Sequence, residues 1–576
     1  MLQARGGTRP AGAGSLITTG RAAFQARSTA AEIRDNRQSL AATRQAAHCV
    51  RSREFSQKNS SKELLKVEAC LGQIARANKP PPQAASMSQS VAQARQEVQS
   101  AFEAALSWVE QDGPRPLAAL EGRLWTLLLA LGRAMVLLYL VRGTCRPRAS
   151  QYEHEGVRYQ LKGTHTSELG TRFGKVPFCR PVGRQVGAPR AARDLPVDRE
   201  LGLTGGFSLG VIMMVVRFCA QMAFHAARET FREVHEWAPS TRPILRMVDA
   251  VGSHARQFLE QAPPPQDDGE VLVLQVDGRG APMINETEMS RRRRARRQHE
   301  ETARAARRAQ RREHPRKRRT KGKKSKNAKV AIVGVLYTLR RTPKGLEGPI
   351  QKRLIATFES HEALFMWLRK EAEKRGYEEK EVYFLADGSD HIWRLQQEYF
   401  PKAHVCVDWY HIIEKIWSAG ECVHREGTPE LEQWVREQAE RLRNGAAAAV
   451  IEELSRLHDE IPKTGPGNRG RRERLLKVKK HLEKHQARLQ YDEFRRHDVD
   501  IGTGAVEGAV RNLIAMRLDG PGMRWGRGRS ELLLHLRCIL LNGQWSDFVA
   551  YIAQQHCLKL PAQPLPAVTH DARAAA

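Results

Sequence analysis

The order of short apolar runs in the second half of the chain limits the possible folds more than any other feature. Five runs rich in β-branched residues are interrupted by two stretches of helical periodicity, and the chain after the fifth run has a helical pattern. The five runs lie at residues 270–276, 330–337, 353–358, 381–386 and 403–407. Runs of this kind predict buried strands, whereas apolar residues three and four apart predict helices. The predicted order is three strands, a helix, a strand, a helix and a strand, followed by helices.

This order is that of an α/β fold with an RNase H-like core, built on a mixed five-stranded sheet. We expect this core at residues 270–550, with an all-α insertion at about 412–500 after the fifth strand. In such a sheet the first and fourth strands are neighbours. Residues at the carboxyl ends of these two strands are therefore expected to lie close together.

Three acids stand where such a sheet would bring them together. Asp277 and Asp387 each begin an Asp-Gly pair at the end of the first and fourth predicted strands, and Glu507 stands at the start of a late helix. Each acid is ordinary when considered alone, because Asp-Gly is common in turns and a Glu at a helix start offsets the helix dipole. The occurrence of all three on suitable elements predicts a catalytic site.

Three converging carboxylates fit the chemistry of phosphodiester transfer. Two Mg²⁺ ions about 3.5–4 Å apart can activate the attacking oxygen, polarise the phosphorus and stabilise the leaving oxygen. Mg²⁺ prefers oxygen ligands, and Mn²⁺ has similar preferences and can substitute. In this interpretation Asp277 binds both ions, Asp387 binds one and Glu507 binds the other.

Four blocks of residues surround these acids and together span about residues 270–550. They are Val276-Asp277-Gly278-Arg279-Gly280, Ala386-Asp387-Gly388-Ser389-Asp390-His391, Val407-Asp408-Trp409-Tyr410-His411, and the stretch from Gly504 and Glu507 through Arg517 to Gly522-Met523-Arg524-Trp525. In this order they resemble bacterial insertion-sequence transposases of the DDE class, mutator-related and of the ISKra-type group. The chain departs from that pattern in a long basic segment between the first two strands, in Val510-Arg511-Asn512 where a Cys-Lys pair is expected, and in the additional acid Asp390.

The resemblance implies a DDE transposase that cleaves DNA at the terminal inverted repeats of its element and joins the freed 3′ ends to target DNA. It implies that Asp277, Asp387 and Glu507 are the catalytic and metal-binding residues. It also marks Asp408 and His411 as an Asp-x-x-His pair that supports or positions the site. The alternative for this pair is a helix cap and a packing histidine.

The charge of the chain indicates a polyanionic partner. The formal net charge is +31, and residues 291–326 hold 19 Lys and Arg against three Glu. DNA is the first candidate partner and an anionic membrane surface the second. A basic segment of this kind is expected to bind phosphates without sequence preference. Its candidate DNA-contact residues are Arg291, Arg292, Arg293, Arg294, Arg316, Lys317, Arg318 and Arg319.

Four further DNA-contact candidates lie near the third acid. Arg511, Arg517 and Arg524 would place cations beside the scissile phosphate, and Trp525 would stack on an unpaired end base. The alternative is a solvated basic face with a tryptophan in the core.

The rest of the chain is expected to form less distinctive regions. Residues 1–86 are predicted to be disordered, either as a leader similar to a transit peptide or as an upstream extension before a start at Met87. Residues 87–195 are predicted to be mainly helical, with a short strand-like piece. Residues 196–262 are predicted to be helical, and they form either a helix-turn-helix that reads DNA or a plain helical hairpin. Residues 551–576 are a tail.

One stretch, Leu124–Val141, is apolar enough to suggest a membrane span, but Arg133 at its middle favours a buried helix in a protein that does not enter the membrane. The nine cysteines have no Cys-x-x-Cys spacing, which predicts reduced thiols and no zinc site. We expect a cytoplasmic bacterial protein associated with the nucleoid. Because two DNA ends must be paired, we expect a dimer or larger assembly on DNA.

Two alternative functions remain open from the sequence. The same carboxylates would serve an RNase H-like nuclease that only hydrolyses its substrate. An inactive or domesticated transposase would act as a DNA-binding protein.

Overall fold

The computed structural model describes most of the chain between residues 90 and 556. Within that range, it leaves out residues 112, 114–115, 189–192, 202, 204–205, 285–286, 288–289, 292–327 and 521–522. The predicted disordered segment 1–86, nearly all of the basic segment and most of the tail therefore lie outside the described residues. The same is true of seven DNA-contact candidates, namely Arg292, Arg293, Arg294, Arg316, Lys317, Arg318 and Arg319.

The described part begins with two helices and a three-stranded sheet that share a small core. The elements are α1 (Val91–Val109), α2 (Leu117–Thr144), β1 (Gln151–His154), β2 (Val157–Thr171) and β3 (Gly174–Gln185). Helix α1 begins with a capping box, in which Ser90 and Gln93 each accept a hydrogen bond from the other's backbone N–H. The strands pair antiparallel in the order β1-β2-β3. This sheet lies where the sequence analysis expected a short strand-like piece within residues 87–195.

Helix α2 is long and apolar enough to cross a membrane, by length and composition alone. Of its most apolar 18-residue window, 28% is buried, and the buried face, which includes Leu137 and Leu140, packs in the same core as Phe178 of β3. The sequence predicted a buried helix here, whereas several large apolar side chains, such as Met135 and Tyr139, are exposed.

Five helices connect this small core to the main sheet. They are α3 (Pro196–Glu200), α4 (Leu209–Gln221), α5 (Phe224–His235), α6 (Thr241–Gly252) and α7 (Ala255–Gln261). The long apolar stretch from Phe207 to Trp237 contains two helices, because Met222 leaves the helical conformation and adopts an extended one. Helices α4 to α7 contribute to the same hydrophobic core as the main sheet. Whether α5 and α6 read DNA as a helix-turn-helix stays a prediction.

The main sheet has five strands, and its order is that of the RNase H fold. The strands are β4 (Val271–Pro282), β5 (Ala328–Thr342), β6 (Gly345–Thr357), β7 (Glu381–Ala386) and β8 (His404–Val407). Their order is β6-β5-β4-β7-β8, with antiparallel pairing among the first three and parallel pairing from β4 to β7 and from β7 to β8. The predicted α/β fold with a mixed five-stranded sheet is confirmed.

Strand β4 is longer than its apolar run predicts. The parallel partner β7 ends opposite Val276, but the antiparallel pairing with β5 continues to Pro282. Asp277 therefore does not end its strand, and it lies at the point where β4 loses one of its two neighbours.

The remaining elements are helical. They are α8 (His361–Lys374), α9 (Asp390–Tyr399), α10 (Trp409–Gly420), α11 (Pro429–Arg443), α12 (Ala447–Glu460), α13 (Asn468–His485), α14 (Tyr491–Arg496), α15 (Gly504–Val510), α16 (Met516–Leu518), α17 (Arg527–Leu541) and α18 (Trp545–His556). Helices α8 and α9 lie between strands, as predicted, and α10 to α14 form the helical insertion after β8. Helices α11 and α12 of this insertion are separated at Gly445, which has a positive φ of 78°.

Two buried arginines join the carboxyl end of α4 to the helices that follow the sheet. Arg517 donates through Nε to the carbonyl oxygen of Cys219 at 3.0 Å, and Arg537 donates to the carbonyl oxygens of Ala220 and Leu513. Carbonyls at a helix end lack partners within the helix and carry the negative end of its dipole. Burial lowers the pKa of both arginines to about 10, which leaves both charged at neutral pH.

The structure contradicts the predicted DNA contacts of Arg517 and Trp525. Arg517 is 1% exposed and Trp525 is 6% exposed. The guanidinium carbon of Arg517 lies 4.9 Å from the centroid of the Trp525 ring and 5.2 Å from that of Phe224. Trp525 pairs with the end of β4 through backbone hydrogen bonds to Pro282 and Ile284. Both side chains are therefore part of the core. The alternative left open by the sequence had placed Trp525 in the core, but it had placed the arginines on a solvated face.

We expect the substitution Arg517→Ala to lower the free energy of unfolding by about 2–4 kcal/mol, because it removes a donor from a buried carbonyl and leaves a cavity. Urea unfolding followed by tryptophan fluorescence measures the change. Arg511→Ala, in an exposed arginine six residues away, is the matched control and should change the stability by no more than about 0.5 kcal/mol. Equal stability of the two variants would show that the buried contacts of Arg517 do not stabilise the fold.

Candidate active site

Two of the predicted acids follow paired positions on adjacent strands. Val276 of β4 and Ala386 of β7 are register partners, so Asp277 and Asp387 are the next residues on each strand. The backbone N–H of Ser389 donates to Oδ1 of Asp387 at 3.0 Å, which orients this carboxylate in the turn before α9. Both aspartates are partly exposed, in contrast to the buried residues that precede them.

A buried amide side chain on β4 positions the helix that carries the third acid. Oε1 of Gln275 accepts from the backbone N–H of Val506 at 3.0 Å, and Nε2 of Gln275 donates to the carbonyl oxygen of Gly502 at 3.2 Å. These bonds join the start of α15 to the sheet two residues before Asp277. Glu507 follows Val506 directly, and its Oε1 lies 3.3 Å from the hydroxyl of Thr503, which can donate to it. Gln275 therefore positions Glu507.

The electrostatics of Asp277 show that the three acids interact. Burial is the largest cause that raises the pKa of Asp277, and the negative charges of Asp387 and Glu507 raise it further. The backbone N–H of Gly278 and the nearby His411 act in the opposite direction, but the net shift is upward. Like charges that converge in this way disfavour ionisation of one another. The site therefore carries an excess of negative charge.

Asp408 is completely buried beside this site and forms three hydrogen bonds. Its Oδ1 accepts from the backbone N–H of Thr503 at 2.8 Å, and its Oδ2 accepts from the backbone N–H and from Nδ1 of His411, both at 2.9 Å. Burial acts to raise the pKa of Asp408, but the hydrogen bonds from His411 and Thr503 outweigh it and the pKa lies below its usual range. Asp408 therefore joins the start of α10 to the loop before α15.

His411 lies between Asp408 and the three acids. The hydrogen bond to Asp408 raises the pKa of His411, and the charge of Asp387 adds to this effect. One potential ligand atom from each of Asp408, His411 and Glu507 lies within 4.8 Å of the others, which is close enough for a shared metal ion. The hydrogen bonds that Asp408 accepts do not exclude it from such a group, since carboxylates that bind metals are commonly hydrogen-bonded as well.

The structure thus brings together five residues that the sequence singled out, namely Asp277, Asp387, Glu507, Asp408 and His411. Their chemical roles stay predictions. Asp390, the additional acid, is exposed and forms an ion pair with Lys484.

Sequence reasoning missed Gln275. The signal that would have found it is a lone amide side chain in an otherwise apolar strand, since a buried polar group needs hydrogen-bond partners.

The structure exposes some of the predicted DNA-contact residues and buries others. Arg291, Arg511 and Arg524 are exposed. Arg511 follows Glu507 by four residues and begins a π-helical turn (Arg511–Ala515), a feature that is frequent at functional sites. Arg517 and Trp525 are buried, as described above.

Comparison with known proteins points to one class of enzyme. Residues 329–498 match the family DDE_Tnp_ISL3, which is described as a transposase family. The matched part runs from β5 to just after α14, so it includes Asp387, Asp408 and His411. No curated protein matches the chain. Among solved structures, the Drosophila P element transposase strand transfer complex is similar at 11% sequence identity and a TM-score of 0.28, over 59% of this chain and 94% of that chain.

The transposase match lies within an RNase H-like sheet that carries converging carboxylates. On these grounds the chain is an enzyme of the DDE transposase class, which belongs to the polynucleotidyl transferases.

Proposed function

We propose that this enzyme cleaves the terminal inverted repeats of an insertion sequence and transfers the freed 3′ ends to target DNA. The observation that carries the proposal is the convergence of Asp277, Asp387 and Glu507 at one end of the sheet. The finer assignment to the mutator-related, ISKra-type group is supported only by the motif blocks, since the matching family has a different name.

Divalent metal ions are the cofactors of DDE transposases, and we propose two Mg²⁺ ions here, with Mn²⁺ as a substitute. The three acids offer the oxygen ligands that these ions prefer. Burial, and after it the negative charges of Asp387 and Glu507, raise the pKa of Asp277, and bound cations would offset these charges. We assign Asp277 to both ions, Asp387 to one and Glu507 to the other. When bound, the ions supply an activated attacking oxygen and stabilise charge on the phosphorus and the leaving oxygen.

Asp408 and His411 are proposed as positioning residues. Asp408 ties Thr503 to α10, and its hydrogen bond to Nδ1 leaves the second ring nitrogen of His411 available to the site. In the absence of metal, a protonated His411 offsets part of the negative charge of Asp277, since it lowers the pKa of that acid.

The DNA partner is proposed to be double-stranded, both at the ends of the element and at the target. Arg511, Arg524 and Arg291 are exposed and available to phosphates, and the basic segment that follows Arg291 would add more cations. We further propose a cytoplasmic, nucleoid-associated bacterial enzyme that acts as a dimer or larger assembly, because two DNA ends must be paired.

The first test is nicking of a labelled duplex that carries the flanking DNA end of the element, in the presence of Mg²⁺. We expect Glu507→Gln, Asp277→Asn and Asp387→Asn to reduce the rate by at least about 10³-fold, because each removes part of a metal site worth several kcal/mol in the transition state. Glu432→Gln, which changes an exposed acid in the first turn of α11, is the control and should remain active. Tight binding without any nick, in Mg²⁺ or in Mn²⁺, would favour a DNA-binding protein without catalytic activity.

A second prediction follows from the raised pKa of Asp277. A carboxyl whose pKa is higher in the folded state destabilises the fold when it is ionised, and this cost disappears as the pH falls below the unfolded value. Without metal, Asp277→Asn is therefore expected to raise the melting temperature near neutral pH and to have little effect at about pH 3. Mg²⁺ should stabilise the wild type more than this variant.

Thermal unfolding in chelator, across a pH series, measures this difference. Asp547→Asn removes an exposed carboxylate in the first turn of α18 and should not raise the melting temperature at any pH. If Asp277→Asn behaved in the same way as Asp547→Asn, the ionised carboxylate of Asp277 would carry no folding cost from burial or from the neighbouring acids.

A third prediction concerns Gln275. We expect Gln275→Leu to lower the nicking rate by about 10–100-fold with little change in DNA affinity, because the start of α15 loses its bonds to the sheet while no DNA contact is removed. Gln275→Glu, which keeps the acceptor for Val506, should be less impaired. Nicking and binding are measured in parallel, with the exposed Gln433→Leu as a control. Equal loss of affinity and rate would instead indicate that the substitution unfolds the site.

A further inference from the structure

One face of helix α13 carries a row of cations. Lys477, Lys480, Lys484 and Arg488 are separated by three, four and four residues, which places them on the same side of the helix and of the short turn that continues it (Gln486–Arg488). We call these four residues the α13 basic row. At 1.5 Å per residue the row is about 16 Å long.

The carboxyl end of the row lies beside Asp387. A Cβ atom on Gly388 would come within 2.5 Å of the ring of His481 and 3.3 Å of the ring of His485, so α13 packs directly on the turn that carries Asp387. Lys484 is next to His485 in the chain and pairs with Asp390, three residues after Asp387. The row thus extends away from the site of phosphodiester chemistry.

The positive charge of the row is largely free. Lys477 and Lys480 are exposed and have no ion-pair partner in the part of the chain that the structure describes. Glu473 is on the same side of α13 and pairs with Arg469 at 2.8 Å. The pair between Lys484 and Asp390 is half-exposed on both sides, and such surface pairs contribute little and exchange readily.

Arg488 lies at the border of a groove between α9 and α13. Its guanidinium carbon is 5.0 Å from the centroid of the Trp393 ring. The groove has a volume of about 590 Å³ and is also lined by the cations Lys484 and Arg394 and by the acids Asp390 and Glu398. It provides space next to the row for a strand of nucleic acid.

We propose that the α13 basic row binds the phosphate backbone of the duplex that carries the scissile phosphate. This inference rests on the proposed function, because the position of that phosphate follows from Asp387. A duplex strand has one phosphate every 3.4 Å, so the row spans about five phosphates of the DNA that leads away from the cut. The row would hold this flank without reading its sequence.

The test uses the full chain with Lys477→Glu and Lys480→Glu combined, in a Glu507→Gln background that prevents cleavage. Fluorescence anisotropy in chelator, over a salt series, measures binding to duplexes of the element end whose flank is shortened in single base-pair steps. We expect the double variant to bind the full-length duplex at least about tenfold more weakly and to reduce the salt slope by about 1.8, or about 0.9 for each lost phosphate contact.

The matched control is Lys344→Glu with Lys352→Glu. It makes the same change in net charge at exposed positions of the β5–β6 hairpin, whose turn lies at the opposite end of the sheet from Asp277. Binding by this control should depend on the flank as the wild type does. The Lys477 and Lys480 variant should lose that dependence and match the wild type once the flank has been removed.

Three results would overturn the inference. The first is an equal loss of DNA affinity in the two double variants, which would show that the loss comes from the change in net charge and not from the position of the row. The second is a flank dependence that survives in the Lys477 and Lys480 variant. The third is a loss confined to an unrelated target duplex, which would assign the row to target DNA. A different result would separate the two proposals. If the wild-type protein failed to nick but kept its flank-dependent binding through the α13 basic row, the proposed function would be wrong and the assignment of the row as a DNA-binding surface would be retained.

Discussion

The parallel pairing of β4 with β7 is the constraint on which the rest of the site depends. It places Asp277 and Asp387 side by side, because the register aligns the residues that precede them. A shift of one residue would turn one carboxylate to the other face of the sheet. The long antiparallel pairing of β4 with β5 fixes the position of β4 in the sheet, and it continues five residues beyond Asp277. The same extension of β4 provides the backbone partners for Trp525, so the strand that carries the first acid also anchors the helices that follow the third.

Hydrogen bonds from buried polar side chains hold the acids together against their mutual repulsion. Gln275 joins α15 to β4, and Asp408 joins the preceding loop to α10. Neither side chain needs to contact a substrate to do this. Their value lies in geometry, since catalytic groups act well only when they are held within a fraction of an ångström of the productive position. The site is therefore built from the sheet, from α15 and from the start of the helical insertion, which are far apart in the sequence.

The sequence predicts the fold well where the pattern is local. The strand order, the two helices between strands and the helical insertion all follow from hydrophobic periodicity, and the ends of the two apolar runs locate Asp277 and Asp387. The environments of Arg517 and Trp525 do not follow in this way. The carbonyl that accepts from Arg517 belongs to Cys219, 298 residues earlier, and an arginine at a helical position gives no local sign of burial. The extent of β4 was also missed, because pairing with β5 extends it through polar residues and glycines that have no strand pattern.

The two buried arginines that donate to the carboxyl end of α4 limit where the chain can be cut into fragments and where related genes can recombine. A fragment that began in the proline-rich segment before β4 would retain Arg517 and Arg537 but lose the carbonyl oxygens of Cys219 and Ala220 that accept from them. Two charged groups would then face an interior with fewer acceptors, which is among the most costly defects in a fold. The smallest autonomous unit that contains the carboxylates therefore begins no later than α4. Recombination among related genes would have to exchange helices α4 to α7 together with the sheet. The α1–α2 and β1–β3 region has its own small core, and it is joined to α5 by contacts such as the hydrogen bond from Trp125 to the carbonyl oxygen of Val234.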